Sequence, residues 1–132
     1  MLACLADPGT CLSLRIPSRV RLSLDDWVAN GSLSVACREL LLGLVARKRA
    51  FLVSGGTGSG KTTLLGSLLG EVPAAERLVI VEDSRELSPD HPHCVRLEAR
   101  PANAEGAGAV TLTDLVRQAL RMRPDRLVVG EV

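Results

Sequence analysis

The amino-acid sequence predicts an α/β fold, a mostly parallel sheet flanked by helices. Three observations predict it. Apolar runs at residues 50–54, 77–82 and 126–131 are nearly continuous, as in strands buried on both faces. Segments with helical spacing separate them. A glycine-rich loop stands where the first of these runs should pass directly into a helix.

The elements follow in order. Residues 12–16, Leu-Ser-Leu-Arg-Ile, alternate apolar and polar and suit one short strand. Residues 24–28 suit a single helical turn, and Asn30-Gly31 is a turn signal. Ser34 is a helix cap, and Val35, Leu41, Leu42 and Val45 give the helix after it an apolar stripe. Arg47, Lys48 and Arg49 close that helix, where its dipole favours cations. Residues 50–54 read as a buried strand, residues 61–69 as a helix ended by Pro73, and residues 77–82 as a second buried strand. The polar, proline-broken stretch 83–92 is a loop, and residues 94–98 form a strand with one wet face. Residues 101–110, rich in glycine and alanine, form another loop. Thr113 then caps a helix with the apolar face Leu115, Val116, Ala119 and Leu120, and residues 126–131 form the last strand.

Bulk properties narrow the function. The 132 residues leave room for one domain, and 46% hydrophobic with 23% charged residues argues against disorder. Trp27 and Phe51 are the only aromatics, so the core is aliphatic and stacking platforms for single-stranded nucleic acid are nearly lacking. A net charge of +1 gives no general pull on DNA or acidic membranes. Direct nucleic-acid binding is therefore not expected. Cys4, Cys11, Cys37 and Cys94 form no CxxC pair and read as reduced thiols of a cytosolic protein. The opening Met-Leu-Ala-Cys lacks the charged and apolar leader of a lipoprotein signal. No apolar run approaches the roughly 20 residues that span a membrane, so a soluble chain is expected.

The chemistry concentrates in Gly55-Gly56-Thr57-Gly58-Ser59-Gly60-Lys61-Thr62, which satisfies G-x-x-x-x-G-K-[ST] in full. Its glycines let the backbone approach a ligand, and successive N–H groups line a phosphate-sized concavity. The following helix adds unsatisfied donors and a partial positive charge. Lys61 is assigned to the β- and γ-phosphates of ATP, the Thr62 hydroxyl to Mg²⁺, and Thr63 to a further phosphate contact. An ATPase also needs carboxylates for the metal and the attacking water. Glu82-Asp83 and Glu131 both follow apolar runs, at the sheet edge where such folds bind ligands, and spacing alone leaves their two roles open.

Arginines are dense in the second half, among them Arg85, Arg96, Arg100, Arg117, Arg121, Arg123 and Arg126. Ring-forming ATPases offer such groups to a neighbour's γ-phosphate, and Arg96 and Arg100, flanking the sheet edge, are the first candidates for acting in trans. His91, His93 and Cys94 lack a fourth ligand for zinc, so no metal is expected there.

Taken together, GGTGSGKTTLL, ERLVIVEDSREL, VRLEARPANAEGAG and DLVRQALRMRPDRLVVGEV resemble the type II/type IV secretion ATPases. The tight-adherence (Flp) pilus assembly and conjugal-transfer branch is the most similar. The resemblance runs from about Leu22 onward, and Arg123-Pro-Asp-Arg126 leading into Val-Val-Gly-Glu131 is its most specific part. It implies a RecA-like P-loop NTPase core working as a cytoplasmic homo-hexamer, held peripherally at the inner membrane by a platform protein. It further implies that Glu82, with Asp83 in the acidic box, polarises the hydrolytic water, and that Glu131 holds Mg²⁺ through water. On this basis Glu82→Gln should bind ATP without hydrolysing it.

The family pattern extends beyond this chain at both ends. Residues 1–33 are then expected to be a remnant of an N-terminal domain or linker. Residues 34–132 are expected to be the first part of the ATPase domain, truncated at its C-terminal side before the histidine box. The implied function is a motor subunit for pilus assembly or protein secretion across the cell envelope. Two alternatives stand beside it: a truncated fragment that binds nucleotide without turnover, and a RecA-type DNA-dependent ATPase. A small-molecule kinase would need a lid and a substrate pocket. A GTPase would show Asn-Lys-x-Asp and a transporter ATPase Leu-Ser-Gly-Gly, and neither occurs.

Overall fold

The computed structural model describes residues 12, 14, 21–104 and 107–130. Seven elements follow in chain order: α1 Leu24–Ala29, α2 Val35–Ala46, α3 Lys61–Gly70, β1 Leu78–Glu82, β2 Cys94–Glu98, α4 Leu112–Arg121 and β3 Arg126–Val129. The three strands form one parallel sheet in the order β2-β1-β3. All five residues of the central strand β1 are buried, which accounts for its unbroken Leu-Val-Ile-Val run.

Two apolar layers clamp the sheet. Leu78 and Ile80 face a cluster with Leu24, Val45, Leu68, Leu69, Val72 and Leu87, so α1, α2 and α3 cover that side. Val79 and Val81 face Ala119, with Leu115, Val116 and Leu127 packed around them, so α4 covers the other. Alternate residues of β1 thus serve opposite layers, as the period of two requires.

The strand starts are tied together at one end of the sheet. Arg77 donates from its backbone N–H to Asp125, from Nε to Nε2 of His93, and from a terminal nitrogen to the Met122 carbonyl. Nearby, Arg126 Nε meets Glu76 at 2.7 Å, and Lys48 reaches Glu76 at 3.2 Å and Asp125 at 3.7 Å. His93 is engaged by Arg77 and His91 by the Pro73 carbonyl, and no group of metal-ligating side chains occurs among the described residues. Burial raises the Cys94 thiol, consistent with a quiet thiol on a strand. No helix among the described residues is long and apolar enough to cross a membrane.

Several expectations need correction. Residues 50–54 lead into the loop but form no strand. None of the described backbone hydrogen bonds joins them to a neighbour, and Leu52 is 80% exposed. Residues 48–55 and 125–130 instead line a common cavity of about 760 Å³. Apolarity alone cannot make a strand; a ladder partner must lie within hydrogen-bonding distance. The last helix is capped by Thr111, not Thr113, because Thr111 and Asp114 form a reciprocal capping box. Val35 and Leu120 point outward, each about 60% exposed, since their helices each turn a narrower stripe to the core. The expected strand at 12–16 and Glu131 fall largely or wholly outside the described residues.

Candidate functional site

The loop between residues 54 and 61 folds as its composition requires. Gly58 and Gly60 have φ of +76° and +89°, angles that side-chain-bearing residues rarely adopt. Gly60 is the N-cap of α3 and supplies no side-chain acceptor, so the first turn of that helix has no capping group from its own N-cap. Such an N-terminus presents donors and positive potential to an anion. Thr57, Ser59 and Thr63 lie exposed around it.

Lys61, the first residue of α3, turns back over the loop. Its ammonium donates to the carbonyls of Gly55 at 2.7 Å and Gly56 at 2.8 Å. The cation is therefore held above the loop by two neutral acceptors, which a phosphate oxygen can replace with a charge-assisted bond.

The Thr62 hydroxyl donates to Oε2 of Glu86 at 3.3 Å. This brings to the loop a carboxylate that sequence reasoning missed. Glu86 lies four residues past the end of β1, and its placement depends on how the chain turns there. Glu82 governs that turn. Its side chain is buried, and its Oε1 accepts the backbone N–H groups of Glu86 at 3.0 Å and Leu87 at 2.8 Å. Leu87 in turn plugs into the core, and its carbonyl accepts from Arg96 at 3.3 Å. Glu82 is thus a wall and a brace, while Glu86 faces the threonine.

These groups enclose a pocket of about 110 Å³ lined by Lys61, Thr62, Glu82, Asp83, Ser84 and Glu86, among others. It opens at the carboxyl end of β1, where a parallel sheet presents its loops. The end of β3 contributes Gly130, whose backbone N–H bonds the Val81 carbonyl. A Cβ at Gly130 would lie 2.8 Å from Cγ of Glu82, so only glycine lets the two strand ends approach this closely. Neither Arg96 nor Arg100 lines the pocket; both are exposed, and Arg100 donates to the Gly108 carbonyl.

A glycine-rich loop at a helix start, an adjacent carboxylate pair and a parallel sheet coincide with a family match over residues 3–132, described as Type II/IV secretion system protein. The chain belongs to this family. Among the relatives of this secretion-system chain, a protein of Mycobacterium tuberculosis named for conjugal transfer is 56% identical over 127 residues, covering 96% of the chain and 36% of that protein. The VirB11 protein of Agrobacterium fabrum is 41% identical over 103 residues, covering 78% of the chain and 28% of its own length. The VirB11 ATPase of the Brucella suis type IV secretion system, solved with sulphate, aligns with a TM-score of 0.58 and 33% identity. That alignment covers 89% of this chain and 40% of the Brucella chain. The chain therefore shares an α/β fold with part of the VirB11 ATPase and spans well under half the length of these relatives.

Proposed function

We propose that this chain is the nucleotide-binding part of a secretion ATPase, which takes up Mg-ATP on residues 55–63. The observation that carries this reading is the convergence of the Lys61 ammonium, the uncapped start of α3 and the Thr62–Glu86 pair on one pocket. In this reading Lys61 leaves the Gly55 and Gly56 carbonyls for the β- and γ-phosphates. Backbone N–H groups of residues 56–62 hold the remaining phosphate oxygens.

The hydroxyl oxygen of Thr62 suits a hard cation that keeps several waters. Thr62 would hold Mg²⁺, with Glu131 contributing through water, and the bound ion would neutralise charge on the phosphates. Glu86 then accepts a proton from the attacking water, and Glu82 fixes the loop that carries it. Arg96 and Arg100 are assigned to the neighbouring subunit's γ-phosphate. The whole protein, in this reading, is a hexameric cytoplasmic motor docked on an inner-membrane platform protein. It hydrolyses ATP to drive pilus assembly or secretion.

The unpaired segment 50–54 favours a second reading for the isolated chain, nucleotide binding without turnover. Titration with a fluorescent ATP analogue and Mg²⁺, beside Lys61→Ala, tests the first step. Binding should saturate and weaken by about 100-fold in the variant, the value of a desolvated charge-assisted contact. Equal binding by both chains would remove the phosphate loop from the proposal. Turnover above that of a Glu86→Gln control would set aside the binding-only reading.

A further inference from the structure

Trp27, the sole tryptophan, sits on α1 far from the loop in sequence yet bonds to the helix that starts there and lies close to its first turn. Its Nε1 donates to the Ser67 hydroxyl at 2.9 Å, 40 residues away. At its other edge, the ring carbon Cη2 lies 3.3 Å from where a Cβ on Gly60 would stand. Gly60 is the N-cap of α3 and Ser67 its seventh residue, so the indole stands between the start of the helix and its later turns.

The segment that carries the ring is tied at several points. Ser67 also contacts the Leu22 carbonyl, just before α1. The Trp27 carbonyl accepts the N–H groups of Ser32 and Leu33 at 3.0 and 3.1 Å, which fixes the turn into α2. A Ser23–Asp26 capping box secures the start of α1, and Arg38 of α2 meets Asp25 at 2.7 Å. A six-residue helix is too short to be stable alone. Its packing on α2 and α3 and these ties hold it.

We infer that Trp27 is a positioning residue for the phosphate loop, setting the start of α3 through Gly60 and Ser67. The inference rests on the nucleotide-binding reading above. In this reading, occupation of the loop shifts the α3 N-terminus, and the indole beside Gly60 registers that shift. Through Ser67 and the Leu22 carbonyl, the shift reaches the chain that enters α1.

The test uses the full chain. Because tyrosine is lacking, selectively excited emission reports Trp27 alone. Mg-ATP is titrated while emission is recorded, and equilibrium dialysis with radiolabelled ATP measures binding independently. Emission should change with the midpoint that dialysis gives. Trp27→Phe, which keeps a ring but loses the donor, should weaken binding by about 3- to 10-fold, the worth of one hydrogen bond and its packing. Should Trp27→Phe fail to fold, Ser67→Ala carries the same test, with circular dichroism confirming its helices. Saturable dialysis with flat emission overturns the inference and leaves nucleotide binding intact, as does wild-type affinity in whichever variant folds. No binding by dialysis removes both.

Discussion

The Thr62 hydroxyl and Oε2 of Glu86 lie 3.3 Å apart, joined across 24 residues by a loop that Glu82 braces from beneath. Two glutamates four residues apart thus have different duties. One carboxylate accepts backbone N–H groups and the other faces the threonine that follows the glycine-rich loop.

This division separates two variants of the complete protein. Glu86→Gln should retain ATP binding and lose hydrolysis by about 100-fold or more, the usual value of a positioned base. Glu82→Gln keeps an oxygen that can accept both N–H groups, so its loss should stay below about 10-fold. Steady-state phosphate release measures both. Full loss in Glu82→Gln with activity spared in Glu86→Gln would return the water to Glu82.

Gly130→Ala introduces a Cβ 2.8 Å from Cγ of a buried glutamate. Either strand end must move, at a cost of about 1–3 kcal/mol. Urea denaturation should show that loss, together with weaker nucleotide binding as the Glu82 brace shifts. Unchanged stability would mean that the two ends are less tightly opposed.

Glu76 gives the fold a pH dependence of known sign. The hydrogen bond from Arg126 holds its carboxyl below the ordinary range, against the opposing effect of burial and with help from Lys48. A folded value below the unfolded one, near 4.3, contributes stability that is fully present above that range. The contribution is lost as pH falls through the folded value. Glu76→Gln should therefore be less stable at neutral pH and lose less on acidification. Urea midpoints at about pH 7 and about pH 3 compare the two limbs; equal acid sensitivity would assign the dependence to other carboxylates.

Thr111→Ala removes the side-chain half of the α4 capping box, the Oγ1 that accepts the Asp114 N–H, and leaves the backbone N–H of residue 111 to the Asp114 carboxylate. It should cost about 0.5–2 kcal/mol. Thr113→Ala, inside the helix, should cost almost nothing. Chemical denaturation of the pair locates the cap, and a larger loss at Thr113 would shift it two residues on.

Much of this arrangement is legible in the sequence because its causes are local. Ser34 caps α2, the glycines of the loop adopt left-handed angles, and the buried run of β1 lacks alternation for the reason given by its two apolar layers. The α/β class and the family follow from the same signals. What escaped depends on contacts between distant segments. Residues 50–54 are as apolar as β1, yet pairing is a property of the neighbour and not of the run. Glu86 could not be singled out because its position follows from two hydrogen bonds to Glu82, formed only when the loop closes. The value of Gly130 likewise appears only once β3 lies beside β1.

The shared direction of the three strands gives the molecule a polarity along their axis. At one rim stand Lys61, Thr62, Glu82 and Glu86; at the other stand Arg77, His93, Asp125 and Glu76, which bind the strand origins together. Five residues of β1 separate the rims by roughly 13 Å at about 3.3 Å per residue, beyond the range at which substitutions usually couple. Chemistry and cohesion therefore occupy opposite poles. Ion pairs at one pole can be lost or rebuilt over evolutionary time without retuning the pocket at the other.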